Sequence, residues 1–220
     1  MSLHDVVPKS TVPEGECGPW TVESFTIDQK GASFHNLRES INGRRRRVKP
    51  GKHTALKCNG SIWMSDTDAE LWERYDIVRQ ARGDCLVTGL GLGLDAVAML
   101  LSPAVQSVTV VEKSLDVCHL VWQHLMKQAG LHRDGSTWVK TESSAQTGRS
   151  RVVKRAILVH ADALEWSPPR GSKFHTVWHD IWPTICTDHW PEMKKLTRKY
   201  APRLHKGGVQ DCWAKEQMRP

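Results

Sequence analysis

The sequence predicts an α/β fold, doubly wound around a mainly parallel sheet, with a small β-rich unit ahead of it. Three observations lead there. From Cys85 onward strand-like and helix-like runs alternate: "CLVTG", "LDAVAMLL", "SVTVVE", "LDVCHLVWQHLMKQ", "RAILVHAD", "HTVWHDIW" and "DHWPEMKKLTRKYA". Such alternation favours parallel strands joined by crossing helices. Three glycines, Gly89, Gly91 and Gly93, fall at the first strand–helix junction, although glycine inside an element costs roughly 0.5–1 kcal/mol against alanine. Glu112 closes the next strand-like run, 19 residues beyond Gly93.

The elements before that junction follow in order. Residues 1–19 contain Pro8, Pro13 and Pro19 and read as a loose, flexible arm. "WTVESFTID" (20–28) has the character of a strand, and Phe34, Leu37 and Ile41 have helical spacing closed by Asn42-Gly43. "RRRRVKPGK" then reads as an exposed basic loop. Asn59-Gly60 between two strand-like runs predicts a hairpin with a two-residue turn. Thr67 and Glu70 have the spacing of a capping box ahead of a helix whose face is Leu71, Tyr75 and Val78, ended by Gly83. The chain thus divides into an arm (1–19), an N-terminal β-rich unit with the basic loop (20–65) and a Rossmann-like domain (66–220). Residues 132–152 interrupt the alternation and read as a mobile loop.

Composition bounds the class. The chain has 220 residues, 25% charged and 39% apolar, as in globular proteins, and its apolar runs are far short of the ~20 residues of a membrane span. No secretory signal is visible at the start. Six cysteines without a Cys-x-x-Cys pair suit reduced thiols in a cytoplasm and argue against a zinc site. The net charge of +7 leans toward anionic partners.

The glycines point to a ligand. A bare first turn lets a ligand approach the backbone beside the N-terminus of the next helix, and a carboxylate at Glu112 can accept hydrogen bonds from both ribose hydroxyls of a nucleoside cofactor. The alternative is a tight turn that packs helix on sheet. Dinucleotide sites use Gly-x-Gly-x-x-Gly, whereas the spacing here is Gly-x-Gly-x-Gly.

That pattern resembles class I S-adenosylmethionine-dependent methyltransferases. Residues from about 53 to 182 resemble the spermidine synthase-like branch, through "NGSIWMSDTDAELWERY", "VTGLGLGLDAVAMLLSPAVQSVTVVEKSLDV", "VHADALEW" and "FHTVWHDIWPT". The resemblance implies that Gly89, Leu90, Gly91 and Gly93 wrap the amino-acid part of the cofactor and that Glu112 holds the ribose. It implies that Asp162-Ala163 contacts the adenine and that Asp180 falls in the reaction cleft; the alternatives are that Asp162 caps the turn into "ALEW" and that Asp180 orients the loop at Trp182-Pro183. Two departures bear on the reaction. Polyamine-making relatives carry acids where this chain has Leu92 and Pro183, and an amine acceptor needs fixed carboxylates, so aminopropyl transfer is disfavoured. After the helix ending near Arg203 only "LHKGGVQDCWAKEQMRP" remains, enough for one short strand and not for the usual terminal antiparallel pair. The sheet is therefore expected to be C-terminally reduced, its pocket completed by the N-terminal unit, the loops or another subunit of a homo-oligomer.

Among the ten tryptophans, Trp178 reads as core and Trp182 as a residue to stack on a planar substrate or to face the sulfonium, or else as a packed loop residue. His179 is a candidate acid–base partner, although strand neighbours point to opposite faces and it would not pair with Asp180. His175 and His179 lack a third ligand of convincing spacing, so no metal is expected. Arg44, Arg45, Arg46 and Arg47 lie in a stretch of eight basic residues in twenty positions, which suits phosphate contacts of a nucleic acid or other polyanion, or else a solvated loop. No membrane partner is expected. Three functional readings follow: an S-adenosylmethionine-dependent methyltransferase of unidentified acceptor with Asp180 as base; an aminopropyltransferase-like enzyme using decarboxylated S-adenosylmethionine; and a non-catalytic cofactor- or nucleic-acid-binding protein.

Overall fold

The computed structural model describes residues 2–41, 46–143 and 150–220. Two sheets organise it. The smaller is antiparallel, in the order β1 (Gly15–Cys17), β2 (Trp20–Ile27), β3 (Gly51–Cys58), β4 (Ser61–Ser65). The β3–β4 hairpin turns on Asn59 and Gly60, both with positive φ (50° and 78°), the conformation that makes Asn-Gly the favoured two-residue turn. The larger sheet runs β11 (Leu204–Cys212), β10 (Phe174–His179), β5 (Gly83–Thr88), β6 (Val105–Glu112), β9 (Ser150–His160), β8 (Thr137–Ser143), β7 (His132–Asp134). β11, β10, β5, β6 and β9 are mutually parallel, and β8 and β7 are antiparallel additions. Read in chain order, the parallel strands have the 3-2-1-4-5 arrangement of a Rossmann-like, doubly wound sheet, with its switch point between β5 and β10.

Alternation along the strands builds a core on each face. Val87 of β5 and Trp178 of β10 join a cluster with α3 (Asp68–Gln80), α4 (Leu94–Leu101) and α5 (Leu115–Gln128). Their neighbours Leu86 and Val177 pack on the opposite face with α6 (Trp190–Tyr200), through Met193, Leu196 and Tyr200. α4 is apolar nearly all round, and Leu94 to Leu100 are all buried.

Several expectations need correction. The segment 1–19 is packed rather than loose: it carries α1 (Leu3–Val6) and β1, and Leu3, Val6, Val7 and Val12 join the main core. α1 packs on α3, and the burial of four apolar side chains outweighs the entropy that three prolines leave small. The segment read as a mobile loop contains the β7–β8 hairpin and the start of β9; residues 144–149 lie outside the described residues. Helix α2 (Gln29–Ile41) forms, yet Phe34, Leu37 and Ile41 are exposed, and Ala32 and Glu39 are the buried positions. Thr67 makes no side-chain cap, because Glu70 turns back to Ser65 and accepts from its N–H (2.8 Å) and its hydroxyl (2.6 Å). The C-terminal stretch does supply one strand, β11, parallel to β10 and at the sheet edge, followed by α7 (Lys215–Met218). Among the described residues no helix is long and apolar enough to cross a membrane.

Val7 is fully buried in the core cluster. Val7→Ala is expected to lower the unfolding free energy by about 1–3 kcal/mol in a urea titration. An unchanged midpoint would mean the segment is not docked in solution.

Candidate functional site

Beyond the C-terminal ends of β5, β6, β9 and β10 lies a cavity of about 400 Å³, within the usual size of small-molecule sites. Each strand end contributes a short run: Gly89–Leu90–Gly91 after β5, Glu112–Lys113–Ser114 at β6, Asp162–Ala163–Leu164 after β9 and Asp180–Ile181–Trp182 after β10. α3 adds Glu70 and Arg74, and the smaller sheet closes the side with Trp20, Leu56, Trp63 and Met64.

Of the residues singled out from the sequence, Gly89, Leu90, Gly91, Glu112, Asp162, Ala163, Asp180 and Trp182 therefore meet on one cavity. Gly93 stands just behind it, where its left-handed backbone (φ 70°) caps α4. The bare turn has a steric cause within the protein. A Cβ on Gly89 would collide with the backbone carbonyl of Asp180, so the β5 loop and the end of β10 touch only because position 89 has no side chain. Side chains at 91 and 93 would likewise run into Met64 and Leu125.

Glu112 is held at both oxygens. Oε2 accepts from the Leu90 N–H and Oε1 from the Ser114 N–H, each at 2.7 Å, which ties the β6 end to the glycine turn. Asp162 accepts from Lys113 Nζ at 2.8 Å and from the Leu164 N–H at 2.9 Å, and the Lys113 hydrogen bond holds its carboxyl below the usual range. Trp182 is buried, and its indole N–H donates to Glu192 at the start of α6 (2.9 Å). Met64 Sδ accepts the Leu92 N–H at 2.9 Å and seats β4 against the glycine turn.

His179 does not belong to the site. It is fully buried among β5, β10 and β11, between Thr88 Oγ1 and the Gln210 side-chain amide, each at 2.9 Å. Burial lowers its pKa to about 3, so it is a neutral core residue. The strand's alternation sends Asp180 to the cavity and His179 away from it. Of the arginine block, Arg44 and Arg45 lie outside the described residues. Arg47 is exposed, and Arg46 pairs with Glu73 of α3 at 2.7 Å.

The site's electrostatics centre on Arg74, which sequence reading passed over. It is 2% exposed on α3. Its Nη1 donates to the Glu70 carbonyl (2.7 Å), Nη2 donates to Asp180 Oδ2 (2.9 Å), and Nε lies 3.3 Å from Asp95 Oδ2. One guanidinium thus faces two largely buried carboxylates. Burial raises the pKa of Asp180 to about 7 against the pull of Arg74, with Asp95, Glu73 and Glu70 adding to the rise. Burial also raises Asp95, opposed chiefly by Arg74. A signal was present: Leu71, Arg74 and Val78 share a helical face, and a charge on a buried stripe demands a partner.

No known family model matches the chain, and no curated protein sequence matches it. Solved structures do resemble it. A spermidine synthase from Thermotoga maritima is 12% identical with a TM-score of 0.49, over 94% of this chain and 56% of that one. MnmC2 from Aquifex aeolicus is 15% identical with a TM-score of 0.45, over 84% and 67%. An S-adenosylmethionine-dependent methyltransferase from Clostridium acetobutylicum is 14% identical with a TM-score of 0.38, over 61% and 43%. The chain thus spans about half the length of two of these three proteins.

Removing Arg74 leaves two buried carboxylates uncompensated. Arg74→Ala should cost about 3–5 kcal/mol of stability by chemical denaturation, with part recovered in the Arg74→Ala/Asp180→Asn double variant. A second expectation follows from the raised pKa of Asp180. Between about pH 4, where an unfolded aspartate loses its proton, and about 7, the native state binds the extra proton, so this group's contribution to stability falls as pH rises. Asp180→Asn lacks that dependence. Its stability relative to the parent should grow from pH 4.5 to pH 7, by up to about 1.4 kcal/mol per unit, and then level off. A constant difference would show Asp180 ionised throughout.

Proposed function

We propose that the cavity binds S-adenosylmethionine and that the protein transfers its methyl group to an acceptor bound against Asp180. One observation carries the reading: the glycine turn, Glu112, Asp162-Ala163 and Asp180, drawn from four strands, line a single cavity at the C-terminal edge of a doubly wound sheet. The residues fit a nucleoside bearing a cationic sulfonium. Glu112 is an acceptor immobilised by two N–H groups, and each of its oxygens keeps a second lone pair for a ribose hydroxyl. Asp162 and Ala163 suit the base, with Leu164 and Ile181 supplying apolar wall. When bound, S-adenosylmethionine supplies a methyl group already activated for transfer, so what is left to the protein is positioning and proton handling.

Asp180 is placed for the second task. A carboxyl whose pKa lies near neutrality can take a proton from an acceptor at physiological pH, and Arg74 at 2.9 Å fixes its orientation. Trp182, held by Glu192, gives the acceptor side a rigid indole wall.

The test begins with binding. Calorimetry should register saturable association of S-adenosylmethionine or S-adenosylhomocysteine and none of NAD. Glu112→Ala should weaken binding by roughly 10- to 150-fold, the worth of about 1.5–3 kcal/mol of hydrogen bonding to a charged group, with the circular dichroism spectrum preserved. Equal affinities would remove Glu112 from the site. Cofactor labelled separately on its methyl and aminopropyl carbons, offered with a panel of acceptors, then distinguishes methyl transfer from aminopropyl transfer. Transfer of neither label would sink the enzymatic reading while leaving the binding one.

A further inference from the structure

Opposite the cavity, at the N-terminal ends of the strands, three potential ligands come together on adjacent strands. Asp84 of β5, His175 of β10 and His205 of β11 each place a carboxylate oxygen or ring nitrogen within 4.8 Å of the others. They lie 84, 175 and 205 residues along the chain, which is why spacing in sequence gave His175 no partners. The register makes them neighbours. Thr176 pairs with Cys85, setting His175 beside Asp84.

The third member is brought in by an irregularity. β11 pairs Leu204 with Phe174 and then Val209 with Thr176, so four residues of β11, "HKGG", stand opposite the single residue His175. Bulges of this kind re-aim side chains. Here the excursion, helped by Gly207 at φ 74°, lays the His205 ring on that of His175 with centroids 4.1 Å apart and planes 27° apart. On the other side His175 occupies the space that a side chain on Gly83 would fill. Asp84 is steadied from behind, since Ser107 donates to its Oδ1 at 2.6 Å. Such outer hydrogen bonds orient metal-binding carboxylates. Asp84 and His175 are half-buried and His205 is exposed, so the cluster is open to an entering ion.

We propose that Asp84, His175 and His205 form a binding site for a divalent transition-metal ion. Two imidazoles and one carboxylate make a borderline-soft N₂O donor set, which suits zinc, cobalt or nickel and not magnesium or calcium. Three protein ligands leave positions for water. The His175 Nδ1 lone pair now accepts the Asp84 N–H across 3.2 Å, at the long end of the hydrogen-bond range, and this is the contact an ion would displace. Arg82 nearby donates to the Gly207 carbonyl and keeps the bulge in place; its positive charge opposes an entering cation, and the Asp84 carboxylate is the group of the cluster that offsets it. The ion would fasten the edge strand β11 to β10 and β5, remote from the cofactor cavity.

The test uses the untagged full chain and Co²⁺, whose visible absorption reports its ligands, with Zn²⁺ as competitor. One saturable equivalent is expected, displaced by Zn²⁺. His205→Ala, a change at an exposed side chain, should weaken it by at least about tenfold, and Asp84→Asn likewise. Zn²⁺ should raise the melting temperature of the parent and not that of His205→Ala. Absence of a saturable Co²⁺ spectrum up to millimolar metal overturns the proposal. So does unchanged affinity in both variants, which would place the ion among the other histidines or cysteines.

Discussion

One buried cation ties together three of the elements around the cavity. Arg74 enters from α3, a helix that follows the smaller sheet directly, and reaches across the switch point to the first turn of α4 and to the end of β10. Each contact fixes a different element. Asp95 anchors the helix after the glycine turn, Asp180 the end of β10 that lines the cavity, and the Glu70 carbonyl the arginine's own helix. Burying a guanidinium is costly unless its charge is met, and here two carboxylates meet it. Burial, with the negative charge of Asp95, Glu73 and Glu70 added to it, shifts the difficulty onto Asp180, whose proton is held more tightly than an ordinary aspartate's. A structural requirement of the fold thereby becomes a chemical property of the site.

The glycine turn works with this arrangement rather than apart from it. Gly89 permits the β5 loop to lie against the Asp180 carbonyl, and Glu112 pulls the same loop toward β6 through the Leu90 N–H. The loop is thus held from both neighbouring strands before any ligand is present. Positioning groups that are fixed beforehand lose little entropy on binding. The smaller sheet completes the enclosure by contributing Met64 and the tryptophans, so the cavity has walls from both sheets.

Legibility in the sequence followed the range of the interactions. The mainly parallel sheet and the glycine turn with Glu112 were readable because glycine spacing, apolar runs and the position of Glu112 are local signals; Asp162, Ala163 and Asp180 were found through the family resemblance. What escaped depends on contacts between distant segments. Arg74 finds Asp180 106 residues away. The prolines of residues 1–19 suggested disorder, but Leu3, Val6 and Val7 find α3 and the core, which no local pattern announces. Phe34, Leu37 and Ile41 gave the helix, and all three are exposed, since periodicity identifies a face without saying what faces it. Strand alternation already set His179 apart from Asp180, but only the contacts with Thr88 and Gln210, distant in sequence, show it to be a core residue.

The excursion in β11 also matters for encounters between molecules. A straight nine-residue strand at a sheet margin offers unpaired peptide groups on which another chain can build. β11 offers no such even row. Its first half swings out at "HKGG", carries the charge of Lys206 and two glycines, and returns to register only at Val209. Strand addition by a second copy would have to match that irregular outline. The same four residues that gather two histidines therefore guard the sheet against lateral growth.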